Sequence, residues 1–560
     1  MALSKKQKQY IRKYGERDTT DTMARALGVD KQLVDTYLHH RTSGAPKTST
    51  DQSRSQLAFI EQATPLQICV TLALLAAAVA AYCFDARLYI SGDNVEFIRF
   101  AEQLREGSFK LGNGKYPFAF ASVLAVVQWL SDNSLVAQKI AVLVCYVATV
   151  PLTYFLVRRY VGSLWGVVAA FLFLSSPLAL EFSHYVMSEI PYVTASVLAL
   201  VVLQKSIDSP DSKRWFLAAA VAVILAYYVR TAGMALMAGV MAYYLFERQW
   251  KRLGIATGLF IGGMVPLWIT NKLAGGQGYF EQIILKNSYR PELGTMKLPD
   301  FLQRLQSNLS IYSLQDFPLM AFPWRFETTM NHCAIYAAPV AISLSILLLA
   351  LVVFAYWRGL RLPVWYTLAF GGILLLWPEY WSGERFAIPL LPIMALLLVF
   401  GAAEAARWGQ RKFGLNTGRT IAFLGAAILL IMYGRNILVY HGIMENYPPA
   451  WTEYYKAAEW ARDNTPADAV FVDRKGTLFG YTSKRSVVWI PQTQDTKAVL
   501  TSMYEQKADY VVLSSIPYSA IRVYLLPVVN KYSEWFTVVY KQENPTTYIL
   551  KLNRDKALPQ

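Results

Sequence analysis

Long apolar runs separated by short charged connections set the pattern of this chain from about residue 66 onward. Runs long enough to cross roughly 30 Å of hydrocarbon fall at about 66–84, 135–157, 163–180, 189–205, 213–230, 231–247, 254–270, 333–356, 363–379, 385–403 and 419–438. They predict about eleven transmembrane helices. The run 118–130 is shorter, and counting it as a crossing would put Arg158 and Arg159 on the wrong side, so it is read as a juxtamembrane or re-entrant helix. Directly after the first span lies a polar insert, Leu88 to Pro117, LYISGDNVEFIRFAEQLREGSFKLGNGKYP. Within it Phe97, Phe100, Ala101 and Leu104 recur at helical spacing with Glu96, Arg99, Glu102 and Arg105 between them, the pattern of a helix lying along a membrane surface. Asp93 and Glu96 have capping-box spacing, so Asp93 reads equally as a helix cap and as a chemical group.

The two ends of the chain have a different pattern. Residues 1–62 are polar and basic; TTDTMARALGVDKQLVDTYL reads as two short helices about Gly28, with Ala24, Leu27, Val29, Val34 and Leu38 as a small core. The segment resembles a helix-turn-helix, but Asp30 and Asp35 on its second helix disfavour nucleic acid, leaving an interaction or spacer element. A polar linker, RTSGAPKTSTDQSRSQ, follows. From about 441 the pattern becomes that of an α/β domain: a helix from Trp451 to a stop at Asn464-Thr465-Pro466, strands AVFVD, SVVWI, DYVVL, FTVVY and TYILKL, and a helical KAVLTSMYEQ between them. The expected organisation is a tail at 1–62, a transmembrane domain at 63–440 with external loops 85–134 and 271–332, and an α/β domain at 441–560.

Composition agrees with a polytopic α-helical membrane protein. Hydrophobic residues make up 54% of the 560 and charged residues only 16%, against about 25% charged in soluble domains. The formal net charge of +16 would suggest nucleic acid in a soluble chain. Here Arg158, Arg159, Lys205, Lys213, Arg214, Arg248, Lys251, Arg252, Arg358, Arg361, Arg407, Arg411, Lys412 and Arg419 all fall on alternate connections, the arrangement of cytoplasmic loops. Cys69, Cys83, Cys145 and Cys333 lie in or beside apolar runs without metal-ligand spacing. No cleavable signal peptide is expected, because the N-terminus is polar.

That topology puts the remaining ionisable residues on the non-cytoplasmic face: Asp93, Glu96 and Lys115 before Tyr116-Pro117, then Glu181, His184, Glu189, Arg230, Lys286, Arg290, Glu379, Glu384 and Arg385. Charges beside apolar segments are costly and point to function. Carboxylates mixed with cations suit a hydroxyl or amine losing its proton to a carboxylate while a leaving phosphate is held by Lys and Arg. Simpler readings stand beside this: interfacial snorkelling for Lys115, ion pairs of Arg230 and Arg385 with Glu181 and Glu384, helix capping by Glu189, a satisfied interfacial role for His184, and a solvated loop face for Lys286 and Arg290.

GDNVEF, GKYP, EFSHYVMSEIP, YVRTAG and GERFAIPLLP, in that order over most of residues 65–440, resemble the GT-C superfamily of polyprenyl-phosphate-sugar glycosyltransferases. Protein O-mannosyltransferases and the lipid A aminoarabinose transferase are familiar members. The resemblance implies inverting transfer of a sugar from a lipid-phosphate carrier to a protein, glycolipid or glycan. It implies Asp93 as the general base or acceptor-orienting carboxylate, and Lys115, Arg230 and Arg385 at the donor phosphate. Glu96, Tyr116, Glu181, His184, Glu189, Lys286, Arg290 and Glu384 are further candidates for substrate contact. Asp93-Asn94 stands where O-mannosyltransferases have Asp-Glu, which leaves acceptor class and divalent-cation dependence open; Asp93, Asn94 and Glu96 would offer only weak oxygen ligation. The Trp-Trp-Asp motif of the oligosaccharyltransferase subunit is absent, which disfavours en bloc transfer to asparagine.

Two other classes fit the pattern less well. A transporter or flippase of lipid-linked or polar solutes should show repeats and mid-membrane polar groups, and a membrane-anchored sensor would need fewer spans. The expected location is a bacterial inner membrane, with the N-terminus cytoplasmic and the α/β domain outside. The defining geometric expectation is that Asp93 gathers with Lys115, Arg230 and Arg385 at one place.

Overall fold

The computed structural model describes residues 23, 24, 27–29, 34, 63–107, 116–273, 283–287, 293–325, 336–445, 448–491 and 493–555. The chain divides into two compact units, Met1–Ala63 and Thr64–Gln560. In the first, Met23, Ala24 and Val34 are buried, and the Val29 amide donates to the Ala24 carbonyl (3.1 Å) across Gly28, whose φ is +63°. The rest of the expected helix pair lies outside the described residues.

In the second unit every predicted apolar run coincides with a helix. Seven are long and apolar enough to cross a membrane: Pro65–Tyr82, Leu135–Val161, Glu189–Asp208, Trp250–Leu273, Ala338–Trp357, Glu384–Phe413 and Leu415–Met444. The protein is an integral membrane protein. Ser163–Leu174, Lys213–Val229, Gly233–Phe246 and Arg361–Leu376 are shorter than the ~20 residues a full crossing takes. The run expected at 163–180 is broken at Ser175-Ser176, because Pro177 has no amide to extend the helix and begins a new turn, Pro177–Phe182. Phe118–Ser131 is a 14-residue helix packed against Gly92–Arg105.

Packing separates an inner set of helices from an outer one. Leu391–Phe413 is buried along most of its first four turns and packs against Leu415–Glu445, Ser163–Leu174 and Ala338–Trp357. Outer helices expose Ile261, Trp268, Ile346, Leu349, Phe423 and Ile431. In water such stripes would cost ~25 cal/mol per Å²; against lipid tails they cost nothing.

Helix ends pair in two groups. Arg159 pairs with Asp208, Arg361 with Glu247 (2.5 Å), and Arg358 and Arg407 both with Glu404. These are connections that share basic residues in the sequence. Asp208 ends the 20-residue helix that Glu189 begins. At ~1.5 Å per residue the two acids stand about 30 Å apart, one hydrocarbon thickness.

The C-terminal portion opens with the helix Pro449–Asn464 and carries a five-stranded sheet of order β2-β1-β3-β5-β4: β1 Val470–Asp473, β2 Ser486–Trp489, β3 Tyr510–Ser514, β4 Phe536–Glu543 and β5 Thr546–Leu552. β1 runs parallel to β2 and β3, with Phe471 opposite Val487 and Tyr510; β5 is antiparallel to β3 and β4. A helix the pattern did not predict, Gly476–Ser483, joins β1 to β2 and packs on Gly92–Arg105. The α/β portion therefore rests on the polar insert.

Asp473, at the end of β1, is fully buried and accepts from Tyr454 Oη (2.5 Å) and the Lys475 amide (2.7 Å). Burial pushes its carboxyl up to about 6, against the opposing effect of those hydrogen bonds. The folded-state value is the higher one. The stabilising difference is therefore present below the unfolded value near 4 and lost as pH rises through about 6, a cost of about 3 kcal/mol. Amide exchange across β1 should accordingly show protection falling from pH 4.5 to 6.5, and Asp473→Asn should flatten that dependence. An equal fall in the variant would assign the effect to another group.

Candidate active site

Four charged side chains from segments far apart in sequence meet at one place. Arg385 Nη2 lies 2.8 Å from Asp93 Oδ2, and its Nε donates to Glu189 Oε1 at 2.5 Å. Arg230 Nη1 approaches the same Glu189 oxygen at 3.1 Å and donates to Ser188 Oγ at 2.9 Å. The Phe386 ring lies under both guanidinium groups, 5.5 Å from Arg385 and 5.9 Å from Arg230. Two cations and two anions alternate as Asp93, Arg385, Glu189, Arg230.

Local structure aims each of them. Asp93 is in the first turn of Gly92–Arg105, where the helix dipole favours an anion. The N-cap is Ser91, so the capping-box reading of Asp93 does not hold: the helix begins before Asp93 and its carboxylate turns to Arg385. Likewise Ser188 is the N-cap of Glu189–Asp208, and Glu189 in its first turn serves two arginines instead of capping. Arg230 ends Lys213–Val229 in extended backbone (φ −153°, ψ 134°). Its turn is tight because Gly233 meets the Tyr227 backbone, to which a Cβ would come within 2.5 Å. Tyr192 Oη donates to the Ala232 carbonyl (3.1 Å), fixing the turn to the Glu189 helix. Arg385 follows Gly383, whose φ of +149° is open to glycine and strained for other residues.

Exposure divides the four by role. The Glu189 side chain is 1% exposed, whereas Asp93 and Arg385 are each about a quarter exposed, at 25% and 24%. Glu189 is an internal anchor; Asp93 and Arg385 are partly open to solvent.

The other sequence candidates fall in different places. Lys115 and Arg290 lie outside the described residues. Tyr116 is buried against Phe97, with ring centroids 4.3 Å apart, on the inner side of the Asp93 helix. Glu96 is half-buried on the same helix. Neither Glu181 nor Glu384 is the ion-pair partner of Arg230 or Arg385; Glu189 and Asp93 hold those places because they open helices that point at the same spot. Glu181 accepts from Tyr185 Oη (3.5 Å). His184 is wholly buried, with Ser183 Oγ at 3.2 Å from Nδ1 and Tyr440 Oη at 3.3 Å from Nε2. Tyr89 of the insert stacks on Tyr185 at 3.6 Å. Lys286 pairs with Asp300 at 3.2 Å, within its own connection.

Two buried ionisable residues near the insert and the Arg385 turn were not among the sequence candidates. Lys139, inside the second span, is buried and donates to the carbonyls of Asp85 (2.5 Å) and Arg87, which pins the start of the insert. A lysine within an apolar run was the signal. Asp316 closes a five-residue π-turn, Tyr312–Asp316; burial first and Glu384 second push its carboxyl up to about 8. That shift favours its neutral form, and the second cause places it near Glu384, the residue that precedes Arg385. Among the described residues no three His, Cys, Asp or Glu side chains gather to hold a metal ion, and the neighbour of Asp93 is a guanidinium.

A family model described as dolichyl-phosphate-mannose-protein mannosyltransferase matches residues 115–270, the stretch that contains Glu189 and Arg230. None of the curated proteins compared matches the chain. Among solved structures, the oligosaccharyltransferase AglB from Archaeoglobus fulgidus, in complex with an inhibitory peptide and a dolichol-phosphate, is 14% identical over 88% of this chain and 75% of its own, with a TM-score of 0.53. ArnT from Cupriavidus metallidurans bound to undecaprenyl phosphate is 12% identical over 88% of this chain and 99% of its own, with a TM-score of 0.52. At such identities the likeness is one of fold: the chain shares the fold of AglB and ArnT.

The buried anchor and the exposed acid should separate in stability measurements. Glu189→Gln, which leaves two arginines short of their shared carboxylate, should lower unfolding stability by about 3 kcal/mol or more. Asp93→Asn, at a solvent-reached position, should cost under about 1 kcal/mol. Thermal unfolding in one detergent compares the two, and equal losses would contradict the division between anchor and substrate-facing group.

Proposed function

We propose that the protein is an inverting glycosyltransferase, moving a sugar from a polyprenyl-phosphate carrier to a protein, glycolipid or glycan acceptor on the non-cytoplasmic face of a membrane. The observation that carries this reading is the contact between a part-exposed carboxylate and a part-exposed guanidinium, Asp93 and Arg385, both held by helix termini on the Glu189 anchor. The phosphate-carried lipids named with AglB and ArnT supply the donor class by analogy. The alternation of basic connections supports the orientation, with the N-terminus cytoplasmic and the α/β portion outside, and a bacterial inner membrane as the setting.

In this reaction the acceptor hydroxyl or amine donates a hydrogen bond to Asp93 and attacks the anomeric carbon from the face opposite the phosphate. The bond from the anomeric carbon to the phosphate oxygen breaks, its electron pair stays on that oxygen, and the acceptor proton passes to Asp93. The lipid phosphate gains one negative charge as it leaves. Arg385, with Arg230 beside it on Glu189, holds that charge, and the family resemblance adds Lys115 as a further phosphate contact, so little general acid is required. A phosphate drawn to Arg385 competes with Asp93 for the guanidinium, which frees the carboxylate to act as base once donor is bound.

The assay is purified protein with a panel of polyprenyl-phosphate sugars, following loss of sugar from the lipid and its appearance on acceptor. Asp93→Asn should lower turnover about 10²-fold or more while polyprenyl-phosphate affinity holds or rises, because the amide no longer competes for Arg385. Arg385→Gln should weaken both donor binding and turnover. Full turnover in Asp93→Asn would remove the base from the mechanism.

A further inference from the structure

A cavity of about 530 Å³ lies between the Gly92–Arg105 helix and the α/β portion. Arg99 lines it from the helix; Lys484, Arg485, Thr477, Ser486 and Trp489 line it from the other side. None of its lining residues is a carboxylate. The hydrogen bonds of the Arg485 guanidinium go to oxygens of Thr465, Arg462 and Lys484, again no carboxylate. Asp463, the acid that feels Arg485, is already paired with Arg462 at 2.8 Å. Lys484 Nζ sits over the Tyr481 ring at 4.4 Å. Trp489 is 57% exposed, with the Arg474 guanidinium 5.8 Å from its ring. The lining thus carries three cations and no carboxylate, the nearest acid on the helix side being Glu102, which acts on Tyr481, and such a concavity favours an anion.

We infer that this cleft binds an anionic saccharide, a glycan bearing carboxylate or phosphate groups, as the acceptor. The inference rests on the transferase reading and deepens it by naming the acceptor class. Three features fit that ligand together: cations for the acidic groups, the hydroxyls of Thr477 and Ser486 for sugar hydroxyls, and the flat face of Trp489 for the apolar face of a sugar ring. Place adds a fourth. Thr477 packs against Gly92, the residue before Asp93. Arg99 is six positions after Asp93 on the same helix, about 9 Å along its axis. The cleft therefore borders the helix whose first turn carries Asp93.

The test uses the full chain in phosphatidylcholine nanodiscs, which present no anionic headgroup, with calorimetric titration of tetragalacturonate, maltotetraose and tripolyphosphate. Tetragalacturonate should bind at least tenfold more tightly than maltotetraose. The double variant Arg99→Gln/Lys484→Gln should weaken it tenfold or more, and Trp489→Ala should weaken it too, while undecaprenyl-phosphate binding and the unfolding temperature stay as in the parent. Equal binding of the charged and neutral sugars, no binding of tetragalacturonate, or indifference to the double variant overturns the inference. So does tripolyphosphate binding as tightly as tetragalacturonate with no effect of Trp489→Ala, which would mark a plain phosphate site. Because donor binding is read separately, loss of the cleft leaves the transferase reading standing. Saccharide binding without sugar transfer would fail that reading alone.

Discussion

One carboxylate oxygen, Glu189 Oε1, receives two guanidinium groups, and the arrangement of the site follows from it. Three helix termini have to converge for that contact to form: the start of Glu189–Asp208, the end of Lys213–Val229 and the short turn Glu384–Ala387. Buried charge in a membrane protein is expensive unless paired, so the pairing restricts how the three ends can sit. Asp93 joins as the fourth member by way of Arg385, which brings the polar insert onto the same spot. The inner acid is dry and the outer acid is wet, and that difference separates the structural pair from the group able to meet substrate.

The insert is held from three directions. Lys139 fixes its start, Tyr89 stacks on Tyr185 beside the buried Glu181 and His184 group, and the helix Gly476–Ser483 covers its far side. The α/β portion thus acts as one wall of a cleft whose opposite wall is the helix bearing Asp93. The strand order reverses at β1, with β2 paired on one side and β3 on the other. The end of β1 is also where Arg474 and Lys475 approach the ring of Tyr518, at 5.2 and 4.6 Å. Such an edge is where open α/β sheets present their loops to ligands.

Period and hydropathy made the helices and strands legible: all eleven apolar runs and all five strand segments correspond to elements. What they left out has a physical pattern. Gly476–Ser483, with two glycines and two threonines in eight residues, has weak helix propensity and forms because Leu478 and Phe479 are buried. The break at Ser176-Pro177 was hidden by the apolar residues around it. Pairing between Arg385 and Glu189 spans 196 positions and leaves no periodic trace. The sequence did put Asp93, Glu189, Arg230 and Arg385 on one face through the distribution of basic loops. The ion pairs with Glu181 and Glu384 that it held as the simpler alternative do not form, because nearness in the chain favours Glu384 for Arg385 and says nothing about Glu189.

The most direct test of the account is a cryo-electron microscopy structure of the full chain with undecaprenyl phosphate, read for the position of the phosphate. The account predicts the phosphate within hydrogen-bonding distance of the Arg385 guanidinium, on the side open to Asp93, with Arg230 still on Glu189. A phosphate bound at the other end of the helices, near Arg159 and Asp208, or Arg385 and Asp93 found on separate faces of the protein, would contradict it.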